Sequence, residues 1–302
     1  MTKKAVVAYP VLHATGCEFM AGNHYIRSGY RIHYSAWDCF SSLFELHNET
    51  WNVWTHMLGA LLFLLLLVVA TVSDYAPIEM TLLTSTNQTS QLALATTATA
   101  VPQWPIYVFL GGVMACFVLS ALYHLFYVQD VATASVYLQL DYAGIITLIV
   151  GCYVPSIYYG FYCDPSLRAI YFSIIALLAT AVFVACFVPA VQSRTHVRVA
   201  AFLAMILFAL VPIVHAIATF GFWDDHVQVM IKPAFMCSLF NVPGLAFYVS
   251  RVPERWYPGL FDVYGSSHQW WHLCVVVAAV LYYVHLLEHY AWRCGTTCHL
   301  TT

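Results

Sequence analysis

Residues 53–72 read V-W-T-H-M-L-G-A-L-L-F-L-L-L-L-V-V-A-T-V, and His56 is the only ionisable side chain among them. A helix of about 20 mainly apolar residues is long enough to cross the hydrocarbon core of a bilayer. Because backbone groups in lipid must be satisfied within the segment, such stretches are expected to be helical throughout. The pattern recurs, and the sequence predicts seven membrane-spanning helices, at residues 53–72, 104–127, 137–159, 168–189, 198–220, 229–250 and 267–289. The predicted fold class is an all-α membrane protein, a seven-transmembrane-helix bundle.

The composition of the 302 residues points the same way, since 62% are hydrophobic and only 8% are charged. A soluble globular domain carries about 25% charged residues. The formal net charge of -3 excludes a basic nucleic-acid-binding protein. Most of the ten cysteines lie inside apolar stretches, where a free thiol behaves as a small apolar residue. Cys163, Cys294 and Cys298 fall in predicted loops or the tail, and a disulfide among them requires an oxidising compartment.

The basic residues predict the direction of the bundle, because cytoplasmic loops of membrane proteins are enriched in Lys and Arg. A cytoplasmic N-terminus with an extracytoplasmic C-terminus places most of them on the cytoplasmic side, namely Lys3, Lys4, Arg27, Arg31, Arg194, Arg198, Arg251 and Arg255. The loop 73–101 is then extracytoplasmic, and the sequon Asn87-Gln88-Thr89 is expected to be glycosylated at Asn87. The sequon that begins at Asn48 is then cytoplasmic and unmodified.

The chain is expected to have three parts. These are a cytoplasmic N-terminal segment (residues 1–50), the seven-helix transmembrane domain (51–290) and an extracytoplasmic tail (291–302). In the N-terminal segment, aromatic and apolar side chains recur at helical spacing and predict an interfacial amphipathic helix near residues 33–48, packed on the bundle. Residues 1–28 have no such periodicity and are expected to be mobile.

Four ionisable residues are predicted to meet at the cytoplasmic end of the bundle. His124 ends the second helix, Asp141 lies near the start of the third, and His268 and His272 start the seventh. His268 and His272 are four residues apart, so both imidazoles lie on one helix face. Ser120 stands at the same spacing before His124. Three imidazoles with a fourth position open to water are typical of a catalytic zinc site.

Each of these residues also has a structural interpretation. A buried histidine commonly serves packing, Ser120 could bond to its own helix, and Asp141 could cap a helix start. A second polar group, expected at the opposite membrane face, is a weaker metal candidate and is better explained as a polar helix end; it comprises His285, Glu288, His289, Cys294, Cys298 and His299. His56 and His215 stand alone and are expected to be structural.

Several motifs resemble the progestin and adipoQ receptor family and its adiponectin-receptor branch. Residues 29–56 contain G-Y-R and W-D-C-F-S-S-L-F-E-L-H-N-E-T-W-N-V-W-T-H, and three later stretches are L-D-Y-A-G-I (140–145), V-P-S-I-Y-Y-G-F-Y-C (154–163) and P-G-L-F-D-V-Y-G-S-S-H-Q-W-W-H (258–272). The resemblance implies a seven-helix bundle with a cytoplasmic N-terminus. It also implies a Zn²⁺ ion held by His124, His268 and His272, with Ser120 and Asp141 beside it.

The resemblance implies a zinc-dependent amide hydrolase whose lipid partner is a ceramide, a sphingoid base or a free fatty acid. In that interpretation Asp141 positions the water and moves its proton, while Ser120 bonds to the developing oxyanion. The alternatives are a ligand-responsive receptor and a lipid sensor, both with structural zinc. The loop 73–101 is longer than expected for the branch, so any extracellular ligand stays unidentified. The sequence is compatible with a homo-oligomer and with either the plasma membrane or the Golgi and other endomembranes.

Overall fold

The computed structural model of the protein describes residues 4–72, 101–192 and 194–298. Within these residues, seven helices are long and apolar enough to cross a membrane, which confirms the predicted seven-helix fold. They are span 1 (Thr50–Val72), span 2 (Trp104–Phe126), span 3 (Val131–Gly160), span 4 (Pro165–Phe187), span 5 (His196–Phe220), span 6 (Asp225–Ser250) and span 7 (Ser267–Gly295). Span 5 consists of two helices, Thr195–Leu207 and Leu210–Phe220, and a short helix, Pro189–Gln192, precedes it. Asn87 lies outside the described residues.

Span 3 begins earlier than the sequence predicts because Asp130 caps it. An Asp130 carboxylate oxygen accepts a hydrogen bond from the Thr133 backbone N–H at 2.9 Å, as an N-cap residue does. Asp141 therefore lies well inside the helix. The helix-capping interpretation of Asp141 is thus wrong, and its carboxylate faces other side chains.

The spans form a closed bundle in which the last span packs against the first. Consecutive spans pack on one another, and span 7 also contacts spans 1 and 3. Large aromatic side chains fill the main core between these helices; among them are Phe63, Phe109, Phe117, Tyr159 and Tyr283. Leucines on the outer face of span 1 are exposed, as a lipid-facing surface requires.

Spans 2 and 3 approach each other at glycines. A methyl group at Gly112 would lie 2.6 Å from the carbonyl oxygen of Thr147, and one at Gly144 would lie 2.9 Å from the Cα atom of Cys116. Small residues at helix interfaces permit this close backbone packing within membranes. The close pairing brings His124, at the end of span 2, to the side of span 3 that carries Asp141.

The N-terminal segment is folded against the end of span 2. Strand β1 (Ala5–Val7) pairs antiparallel with β2 (Tyr30–Ile32), and Ala5 lies opposite Ile32. Short helices, Tyr9–Ala14 and Ala36–Ser41, alternate with 3₁₀ turns, Glu18–Met20 and Ser42–Phe44. Buried apolar side chains of this segment pack with those at the end of span 2; they include Leu12, Met20, Ile26, Leu125 and Phe126. Residues 4–28 are therefore folded against the bundle, although they show no periodicity in the sequence.

Hydrogen bonds join the N-terminal segment to the connection before span 7. Asp262 accepts bonds from the backbone N–H of Arg27 at 2.8 Å and from the hydroxyl of Ser28 at 2.6 Å. Glu254 accepts one from Asn23 at 3.1 Å and another from the backbone N–H of Ser267 at 2.7 Å. The segment thus covers the end of the bundle at which span 7 begins.

A disulfide bond links Cys163, just after span 3, to Cys298, just after span 7. Cys294, the third cysteine of the predicted loops and tail, is free. Because span 7 ends here and begins beneath the N-terminal segment, the disulfide and that segment lie at opposite ends of the bundle.

Candidate metal centre

Three histidines converge where spans 2 and 7 meet under the N-terminal segment. The candidate ligand atoms of His124, His268 and His272 all lie within 4.8 Å of one another. The Nε2 atom of His268 lies 3.2 Å from that of His124 and 3.0 Å from that of His272. In the part of the chain that the structure describes, no other group of three or more His, Cys, Asp or Glu side chains is placed to hold a metal ion.

The other ring nitrogen of two of these histidines is held by an oxygen atom. The Nδ1 atom of His124 lies 2.8 Å from a carboxylate oxygen of Glu49, and that of His272 lies 3.1 Å from the backbone carbonyl of Asn52. A carboxylate and a carbonyl can only accept, so Nδ1 carries the proton in each neutral ring. The Nε2 atoms of both rings therefore present lone pairs to His268.

This arrangement fits a metal ion better than a hydrogen-bonded set of imidazoles. The Nε2 atom of His268 faces two lone pairs, and a single N–H group can satisfy only one of them. A cation can accept all three nitrogen lone pairs at once. Three neutral imidazoles are a donor set that zinc uses in catalytic sites, and other first-row metals also bind imidazole.

Glu49 belongs to this site, and the sequence analysis did not identify it. One carboxylate oxygen contacts His124 and accepts a bond from the amide of Asn52 at 2.6 Å, and the other accepts the Tyr127 hydroxyl at 3.0 Å. Burial alone would raise the pKa of Glu49, but the bonds from His124 and Asn52 lower it below the usual value. An acidic side chain directly before the first apolar helix was the available signal.

Asp141 and Ser120 form a polar pair next to the three histidines. The hydroxyl of Ser120 lies beside the carboxylate of Asp141, and this carboxylate also interacts electrostatically with His124. Ser120 is buried one turn before His124 on span 2. The structure therefore brings together all five residues that the sequence analysis placed in the site.

His56 lies behind this site as a packing residue. The ring of His56 stacks on that of His272, with 3.8 Å between the centroids, and on Phe117. His215, the other single histidine, has a Tyr171 hydroxyl 2.8 Å from its Nδ1 atom.

The second polar group lies near the disulfide end of span 7. The Nδ1 atom of His285 is 3.1 Å from a carboxylate oxygen of Glu288, and the same oxygen pairs with the ammonium group of Lys232. His289 is buried against Tyr159. Cys298 forms the disulfide with Cys163, and His299 lies outside the described residues.

Comparisons with known proteins give consistent matches. A sequence model of the family described as haemolysin-III related matches residues 44–283, a range that includes every site residue from Glu49 to His272. Heptahelical transmembrane protein 3 of Arabidopsis thaliana is 35% identical over 289 residues, covering 88% of this chain and 83% of that protein. Heptahelical transmembrane protein ADIPOR2 of Oryza sativa subsp. japonica is 41% identical over 64% of this chain and 85% of its own length. Progestin and adipoQ receptor-like protein 1 of Caenorhabditis elegans is 30% identical over 93% of this chain and 61% of its own length.

Proposed function

The chain belongs to the haemolysin-III-related family, with its progestin and adipoQ receptor-like members, and from this we propose that it is a zinc-dependent hydrolase of the amide bond in ceramide-type lipids. One observation carries the proposal. Three imidazoles converge beside the Asp141–Ser120 pair in the interior of a membrane-embedded bundle. A cation-binding group next to a half-buried carboxylate is suited to hydrolysis, because the carboxylate can accept and return a proton where little bulk water is present.

His124, His268 and His272 would hold the metal, which when bound supplies Lewis acidity toward the amide carbonyl and an activated water. The carboxylate of Asp141 would accept a proton from the attacking water and return it to the leaving nitrogen. The water oxygen joins the acyl carbon, the C–N bond breaks, and the products are a fatty acid and a sphingoid base. Ser120 offers its single hydroxyl proton to the oxygen on which negative charge develops.

The depth of the site supports a lipid substrate. The histidines lie at the end of span 2 and the start of span 7, near the boundary between polar and apolar regions. The amide bond of a ceramide lies at the same level, below the headgroup and above the acyl chain. A lipid of this class can therefore present its amide to the site with its chains still in the hydrocarbon core.

We also propose that the N-terminal segment is cytoplasmic and the disulfide end extracytoplasmic. Disulfides persist in oxidising compartments and are rare in the cytosol. Cys163 and Cys298 lie at one end of the bundle, and most of the Lys and Arg residues lie at the opposite end. This orientation suits the plasma membrane and the Golgi equally.

A ligand-responsive receptor with structural zinc is the second candidate. His124 and His272 are buried, and residues of the N-terminal segment cover the aqueous end of the site. A metal site that is covered from water is suited to a structural metal ion, whose role is to stabilise one conformation of the protein. In that case zinc would bind with the same three histidines, and no lipid would be turned over.

Zinc content and fatty-acid release by the purified protein distinguish the two candidates. The wild type is expected to contain stoichiometric zinc and to release fatty acid from a ceramide. His268→Ala is expected to lose both properties, because two histidines are too few donors for tight binding. Asp141→Asn is expected to keep most of its zinc and lose hydrolysis, because an amide cannot accept the proton.

His196→Ala, which removes an exposed histidine of span 5, serves as the matched control and is expected to match the wild type. Zinc without turnover in the wild type would favour the receptor. Equal fatty-acid release by all four proteins, after background correction, would exclude the catalytic proposal.

A further inference from the structure

We propose that Glu49 is a positioning residue that fixes the orientation and proton position of His124, so that metal affinity depends on the N-terminal segment. The inference rests on the proposed metal site. Its starting point is the 2.8 Å contact between the Glu49 carboxylate and the Nδ1 atom of His124. Carboxylates that hold the second nitrogen of a ligating histidine orient the ring and raise its basicity, and their loss typically costs about 10–100-fold in metal affinity or activity.

The carboxylate of Glu49 is itself held from several sides. One oxygen accepts hydrogen bonds from the side-chain amide of Asn52 and from His124. The other accepts hydrogen bonds from the Tyr127 hydroxyl and, at 3.2 Å, from the side-chain amide of Asn48. All four neighbouring groups donate to the carboxylate. A glutamine at this position would place an amide N–H₂ against donors on one side, so the chemistry of the surroundings specifies a carboxylate.

Arg31 holds the backbone of the same histidine. Its guanidinium group is fully buried and donates to the carbonyl oxygen of His124 at 2.8 Å and to the hydroxyl of Ser42 at 2.6 Å. Arg31 lies on β2 of the N-terminal segment. The ring and the backbone of His124 are thus both held by residues that precede the first span.

The two contacts are coupled through the fold of the N-terminal segment. The backbone N–H of Asn48, the neighbour of Glu49, donates to the carbonyl of Gly29, close to Arg31. A displacement of this segment would therefore move both groups that hold His124. We infer that undocking of the N-terminal segment weakens metal binding without changing any of the three ligands.

Zinc affinity, measured by competition with a chelator, tests this inference. Glu49→Gln is expected to bind zinc about 10–100-fold more weakly than the wild type. Glu45→Gln is the matched control, because Glu45 lies in the same segment and accepts the Tyr34 hydroxyl at 3.0 Å without contacting His124. Its affinity is expected to equal that of the wild type. An unchanged affinity in Glu49→Gln would overturn the inference.

A second measurement determines the position of the His124 proton in the metal-free wild type itself. Nitrogen-15 NMR of the histidine rings, with the His124 signals assigned by their loss in His124→Gln, reports which nitrogen carries the proton. We expect the proton on Nδ1. A proton on Nε2 would overturn the inference. A wild type that binds no zinc would overturn the proposed function, whereas the NMR result would still decide the role of Glu49.

Discussion

Buried histidines occur at both ends of the bundle, and their surroundings give them different capacities. At the end of span 2, imidazole nitrogens face one another at 3.0 and 3.2 Å. At the disulfide end, the carboxylate beside His285 is shared with Lys232, and the ring of His289 packs against aromatic side chains. A carboxylate paired with an ammonium group is a poor additional metal ligand, because the lysine competes for the same oxygen.

We therefore predict that the histidines of the disulfide end are dispensable for zinc. Replacement of His285 and His289 together by alanine should leave the metal content at the wild-type level, measured by elemental analysis of the purified protein. Replacement of His268 and His272 is the matched control, since this pair has the same spacing on the same helix, and it should abolish binding. Loss of zinc from a folded His285/His289 variant would place the main site at the other end.

Four site residues could be predicted from the sequence because successive spans alternate in direction, and Ser120 was added by its spacing from His124 and by the family resemblance. Alternation assigns a depth to each polar residue, and His124, Asp141 and His268 share one depth. Glu49 precedes the first span, where no neighbouring helix sets its depth. Its partner His124 is 75 positions away, and that contact depends on how the N-terminal segment folds onto span 2.

At the scale of helices, the pairing of spans 2 and 3 determines whether the residues of the site meet. We predict that Gly112→Ala destabilises the protein by about 1–3 kcal/mol, because a Cβ atom there would overlap the Thr147 carbonyl and force the helices apart. The measurement is the thermal unfolding midpoint in detergent, together with zinc affinity. Both are expected to fall.

The adjacent glycine provides the control for this prediction. A methyl group at Gly111 would meet nothing within 4 Å, so Gly111→Ala should be neutral or stabilising by up to about 1 kcal/mol through helix propensity. Equal behaviour of the two variants would contradict the close helix pairing as the cause.

Helices inside the membrane were predictable at this scale, whereas the N-terminal segment was not. An apolar run of membrane-spanning length identifies a helix from local sequence alone. Strand β1 has three residues, Ala5–Val7, and its partner Tyr30–Ile32 lies far along the chain. Such a pairing leaves no local periodicity. Strand β2 is buried, and its apolar side chains belong to one cluster with those at the end of span 2.

On the scale of the whole molecule, the disulfide and the candidate metal site lie at opposite ends of the bundle. The sequence left the pairing among three cysteines open, because nothing in it specifies which loop meets the tail. The structure pairs Cys163 with Cys298. The predicted orientation has two consequences that can be tested independently. The disulfide is extracytoplasmic, and so is the loop that carries the sequon at Asn87.

We predict that, for protein present at the surface of intact cells, a membrane-impermeant reductant followed by an impermeant maleimide labels Cys163 and Cys298, and that the maleimide alone does not. The Cys163→Ser and Cys298→Ser double variant is the control and should show no reductant-dependent labelling. The expected result follows because both sulfurs are joined in the folded protein and lie on the oxidising side in the proposed orientation.

Glycosylation tests the same orientation from another loop. In a eukaryotic host, a glycosidase-sensitive mass increase is expected that disappears in Asn87→Gln and persists in Asn48→Gln. Asn48 is buried and its backbone is bonded to Gly29, so that sequon is inaccessible in the folded protein as well as cytoplasmic in the proposed orientation. Glycosylation at Asn48 and never at Asn87 would show that the orientation of the bundle in the membrane is opposite to the proposed one. The three histidines would still share one depth after such a reversal, because alternation fixes their depth relative to one another. They would then face the extracytoplasmic leaflet, and the lipid that reaches them would have to come from that side.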